Sequence, residues 1–186
     1  MYGPGMELTE VTVGQVTHSV RVDGPESAHI VVLLPGAGED ASVFDAVCER
    51  LHGSELRTVV PDTVAGLDVA GLLALLDGLG LTYVNLAGNR EGAELAWQAA
   101  ARTFGRFKSL VVADAAHPAV AGDDCPAVEI PTTVLVGADA VRPDAAASGR
   151  RCYSDFRVVE LDGIGSVPRD ASAAFATEIS LRTSMW

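Results

Sequence analysis

A chain of 186 residues, 48% hydrophobic and 20% charged, has the length of one domain and a globular composition, which excludes disordered, collagen-like and low-complexity readings. Its 25 acidic against 13 basic residues give a formal net charge of −12, a field that repels phosphate backbones and argues against a nucleic-acid partner. No apolar run approaches the ~18 residues of a membrane span, and residues 1–10 are Gly-rich and acidic rather than leader-like. Three cysteines without CxxC or CxxH spacing predict reduced thiols in the cytoplasm, with no metal and no cofactor. Lys108 is the only lysine, a bias typical of a high-GC genome.

The chain opens as an antiparallel pair. Val11, Val13, Val16, Val20 and Val22 stand among polar residues around Gly14-Gln15. Residues 29–34 are then apolar without alternation, which predicts a strand covered on both faces, as in a parallel sheet between helices. Similar runs recur at 56–61, 82–87, 109–114, 132–136 and 156–161.

Helical stripes lie between them: Val43, Phe44, Val47 and Leu51; Leu72, Leu75, Leu76 and Leu79; Leu95, Ala96, Ala99 and Ala100; and, from about 170, Ala174, Phe175, Ile179 and Leu181. Ser42 sits where an N-cap belongs, with Asp45 three residues on. Segment 115–130 is too short and polar for a helix plus an insertion, and predicts a loop with one short turn. Tyr83 and Trp97 read as packing residues, Trp186 as a docked or frayed end. Strand and helix alternate with no repeat and no linker, which predicts one doubly wound α/β domain over residues 1–186.

The phrase Leu79-Gly80-Leu81, a strand, then Gly88-Asn89-Arg90-Glu91-Gly92 resembles the nucleophile-elbow region of α/β-hydrolases, where G-x-S-x-G joins strand to helix. Gly88 and Gly92 take the two glycine positions, and Arg90 takes the nucleophile's. Pro35-Gly36-Ala37-Gly38 resembles the oxyanion loop, with Pro35 in the usual His position. Gly137-Ala138-Asp139-Ala140 resembles the end of the strand that carries the triad acid; that register falls on Ala140, with Asp139 one residue early. Gly163-Ile164-Gly165-Ser166 resembles the late G-x-G-H segment, with Ser166 in place of the base. The resemblance spans residues 11–181. It implies a three-layer, mostly parallel sheet of about eight strands flanked by helices, without a cap domain.

The same positions lack the chemistry. Arginine stays protonated and is no nucleophile, serine is no general base, and alanine orients nothing. Of the four histidines, only His117 follows a strand on the side of the resembled site. The resemblance therefore implies a pseudo-hydrolase that binds a small ligand or a protein partner. An esterase- or lyase-like enzyme with displaced groups such as His117 and Asp114 is one alternative, a scaffold subunit another. His117 within reach of a Ser, Thr or Cys near Ala37 would favour the enzyme.

Arg90 has two readings. It plugs the vacated pocket through an ion pair with Asp114, Asp139 or Glu39, or it grips a small carboxylate or phosphate. In the second case the resemblance supplies the N–H groups of Glu91 and Ala37 as oxyanion donors, beside Gly36. Asp114, His117, Asp123, Asp124 and Cys125 match no metal-ligand spacing. An uncapped sheet edge leaves room for a homodimer or a protein partner.

Overall fold

The computed structural model describes residues 5–183. Strands β1 (Glu7–Val13) and β2 (Val16–Asp23) form the antiparallel opening pair, followed by β3 (Ile30–Leu34), β4 (Arg57–Pro61), β5 (Val84–Asn89), β6 (Phe107–Ala113), β7 (Thr132–Val136) and β8 (Phe156–Glu160). They form one sheet in the order β1-β2-β4-β3-β5-β6-β7-β8. It is parallel from β4 to β8, with β2 antiparallel to β4.

The helices are α1 (Asp45–Gly53), α2 (Val69–Gly78), α3 (Glu91–Arg102), α4 (Arg142–Ala147), α5 (Val167–Asp170) and α6 (Ser172–Thr183). Unbroken apolarity in the central strands has the expected cause, since both sheet faces are covered. Val32, Leu34, Leu86 and Val112 point into a core with Leu72, Leu75 and Leu76 of α2 and Trp97 of α3. Their neighbours Val31, Leu33, Ala87 and Val111 face the other way, onto Val47 and Leu51 of α1 and Phe175 and Ile179 of α6. There Phe44 and Phe175 stack with ring centroids 6.1 Å apart.

Four local expectations need correction or completion. Asp40 caps the turn before α1, not Ser42: residues Ala41–Phe44 form a 3-10 turn, and the Asp40 carboxylate accepts from the Ser42 N–H at 2.8 Å. Tyr83 does not pack between helix and sheet. It lies before β5, is 53% exposed, and has the Lys108 ammonium 5.2 Å from its ring centroid. Helices α4 and α5 have no sequence stripe because they are single short turns opened by proline. Trp186 lies outside the described residues. Segment 115–130 is a loop with one 3-10 turn, Pro118–Ala121, as expected.

The order β4-β3-β5 positions the site. After β3 the chain turns to one side through α1 and β4, then returns to β3's other side as β5. The carboxyl ends of β3 and β5 therefore flank a topological switch point, where open α/β sheets bind ligands. Among the described residues no helix is long and apolar enough to cross a membrane.

Candidate functional site

Arg90 joins β5 to α3 with φ 51° and ψ −116°, a backbone conformation that costs about 1–3 kcal/mol for a residue with a side chain. Two glycines make the turn sterically possible. A Cβ on Gly88 would stand 2.6 Å from the Gly92 carbonyl oxygen, and one on Gly92 would stand 2.2 Å from the Leu34 carbonyl oxygen. The strand end, the helix start and the loop after β3 are thus in backbone contact. Next door, Asp114 closes β6 with φ 52°, and the Arg90 N–H donates to the Ala113 carbonyl at 2.9 Å.

The Arg90 side chain is exposed and donates to the Gly165 carbonyl at 2.8 Å. Among the described residues it forms no ion pair, so the expected pairing with Asp114, Asp139 or Glu39 is absent. Each of those acids has donors nearer to hand. Asp114 accepts from the Gly137 and Ala138 N–H groups at 2.8 and 3.0 Å. Asp139 pairs with Arg142 at 3.1 Å, and Glu39 accepts from the Gly36 N–H at 2.7 Å and from Asn89 Nδ2 at 2.9 Å.

The loop after β3 holds a feature that the motif did not announce. The Ala37 N–H, an oxyanion donor by resemblance, donates to Glu91 Oε2 at 2.9 Å. Gly36 and Ala37 therefore each bind a carboxylate, and both acids belong to the protein. The available signal was an acid at the first helical position beside a glycine-rich loop, because carboxylates settle on such amides. Two buried side-chain oxygens, Asn89 Oδ1 and Ser166 Oγ, lack a hydrogen-bond partner among the described residues; they belong to the elbow and to the segment that Arg90 grips.

Beside the elbow, a cleft of about 290 Å³ is lined by Glu91, Glu94, Leu95, Pro118, Ala121 and Asp123. Burial raises the Glu94 carboxyl above its ordinary range, and the charges of Glu91 and Asp123 add to the shift. Ala140 is exposed in a 3-10 turn, and Ser166 precedes α5 with its N–H on Asp170.

His117 is not at the site. Only 1% of it is exposed, and its ring meets Trp97 edge-on at 5.2 Å. Nδ1 accepts from the Ala119 N–H at 3.1 Å, which leaves Nε2 to donate to the Pro126 carbonyl at 2.7 Å. Both nitrogens are thus engaged with backbone, away from the Ser, Thr or Cys partner that the enzyme alternative needs. Of the other histidines, His18 is buried in β2, His29 precedes β3, and His52 bonds Thr58 at 2.8 Å. The thiols offer no substitute nucleophile: burial pushes Cys48 up to about 12 and Cys125 and Cys152 up to about 11.

Burial also holds His117 and His52 below the ordinary imidazole range. A lowered folded-state value means that the unfolded chain takes up protons first, so this contribution is complete above ~6.5 and is lost as pH falls through the folded value. The melting temperature should fall as pH drops below about 6.5, and less steeply in His117→Asn, whose oxygen can still accept from Ala119. Equal slopes in calorimetric melts of the two proteins would contradict this assignment.

No family model and no curated protein matches the chain. Among solved structures it is similar to a dienelactone hydrolase from Anabaena variabilis, at 22% identity and TM-score 0.81 over 100% of this chain and 99% of that one. It is also similar to an enol-lactonase from Burkholderia xenovorans, at 15% identity and TM-score 0.81 over 95% and 100%. An epoxide hydrolase from Vigna radiata matches at 13% identity and TM-score 0.80 over 97% and 99%. At such identities the likeness speaks for the fold alone. The chain has the α/β-hydrolase fold, and the described residues include no cap domain.

Proposed function

We propose that this protein, as one α/β-hydrolase-fold domain, holds a small carboxylate or phosphate at its elbow and does not hydrolyse a substrate there. The support is the bond from the Ala37 N–H to the Glu91 carboxylate at 2.9 Å. A backbone donor placed like an oxyanion donor already selects a carboxylate, although the one it holds is the protein's own. Arg90, which precedes Glu91 in the chain, is exposed and bonded to the Gly165 carbonyl rather than to an acid. An incoming anion would displace Glu91 from Ala37 and meet the guanidinium.

Two terms oppose binding. The net charge of −12 lowers the local anion concentration, and Glu94 and Asp123 line the adjoining cleft. Wild-type affinity is therefore weak, and Glu91 acts as an internal competitor. The similar structures are of hydrolases and a lactonase, but among the described residues an enzyme with displaced groups finds no free imidazole and no ionised thiol at this elbow. The three free cysteines are in keeping with a cytoplasmic chain.

Thermal-shift titration with benzoate and with inorganic phosphate tests the reading. A charge-assisted hydrogen bond is worth about 1.5–3 kcal/mol, so removing the competitor in Glu91→Ala should tighten binding ~10-fold or more. The pair Arg90→Ala/Glu91→Ala should lose that gain. A Glu91→Ala protein no more responsive than wild type would refute the anion site.

A further inference from the structure

We propose that the sheet end opposite the elbow is the interface of a two-fold dimer of this chain, built around Phe104. This surface is independent of the elbow. Phe104 follows α3 in the turn before β6 and is 92% exposed, the most exposed of the large apolar side chains described. It borders a hollow of about 210 Å³ whose walls include Tyr83, Ala101, Phe107 and Ile130. Tyr83 is itself 53% exposed. An aromatic knob beside an apolar hollow on one patch is self-complementary, which a two-fold interface requires.

Charge selects a second copy as the occupant. A chain of net charge −12 repels itself over most of its surface. Here, however, Arg102, Arg106 and Lys108 place three of its 13 basic residues within one short segment, and although Arg106 is paired with Asp77 at 2.8 Å, Arg102 and Lys108 lower the local negative field. Arg102 and Glu129 both border the hollow. Glu129 is exposed and makes no ion pair among the described residues, while Arg102, which donates to Gln98 Oε1 and to the Asp124 carbonyl at 2.7 Å each, meets a carboxylate only at the highly exposed Asp124, at 3.4 Å. A two-fold axis between Phe104 and the hollow seats each Phe104 in the partner's cavity and sets Arg102 of one copy against Glu129 of the other, twice.

Sedimentation velocity of the full chain across a concentration series decides the matter, with circular dichroism melts to confirm folding. Wild type should show a concentration-dependent monomer–dimer equilibrium. Phe104→Asp alters a fully exposed side chain and should weaken the dimer ~10-fold or more. Glu129→Arg should weaken it too, by facing Arg102 with a like charge, and Arg102→Glu/Glu129→Arg should restore it. A monomer at every concentration, a dimer indifferent to Phe104→Asp, or a double variant as weak as Glu129→Arg would each overturn the proposal. Association that appears only when another protein is added would overturn it as well.

Discussion

Gly92→Ala is expected to destabilise the protein by ~3 kcal/mol or more and to lower its melting temperature by about 10 °C. The added carbon would stand 2.2 Å from the Leu34 carbonyl oxygen and 2.4 Å from that of Pro35. Neither atom belongs to a side chain that can swing aside; one ends β3 and the other begins the loop that carries Gly36 and Ala37. Relief therefore requires α3 to back away from the sheet, with the loss of close packing around Ala93, Ala96 and Trp97. Gly88→Ala should behave similarly, because its Cβ would meet Gly92 and Ala93 backbone at 2.6 to 2.8 Å. Gly38→Ala is the control. It has nothing within 4 Å, so only its φ of +75° resists a side chain, at a cost of ~1–2 kcal/mol. A Gly92→Ala protein that melts within a degree or two of wild type would show that the elbow is not packed as described.

These two glycines also mark what the sequence makes legible. Gly88 and Gly92 are visible at fixed spacing, and their reason is a backbone contact that any side chain would break. The central strands are legible for an equally direct reason, since Val31 to Leu34 has a covered face on either side. Short turns such as α4 and α5 bury too little to leave a stripe. His117 misleads because position along the chain says only that it follows β6, whereas the loop folds its ring inward onto Trp97. Asp114, Asp139 and Glu39 mislead as partners for Arg90 because each lies near some other donor, and a sequence does not rank donors by distance.

Glu91 is the most instructive case. Read along the chain, it offers a backbone N–H at the start of α3. In space, its side chain reaches across 54 positions of sequence to the amide of Ala37. That contact turns an apparently vacant oxyanion donor into an occupied one, and it depends on the approach of β3 and β5 that the sheet order creates.

As proposed, the elbow holds an anion without hydrolysing a substrate. The nucleophile, acid and base positions of the resembled triad hold Arg90, Ala140 and Ser166, and the four histidines lie elsewhere. Converting Arg90 to Ser supplies a hydroxyl but no base to take its proton, and general-base help is typically worth ~10²–10⁴-fold, so Arg90→Ser should remain as silent as wild type. The most direct measurement is active-site titration of the wild-type protein with an activated short-chain ester, read as product released before steady state. The prediction is no burst and no turnover above the background of an unrelated acidic protein; a burst stoichiometric with protein, or covalent labelling by a serine-directed phosphonate, would contradict it.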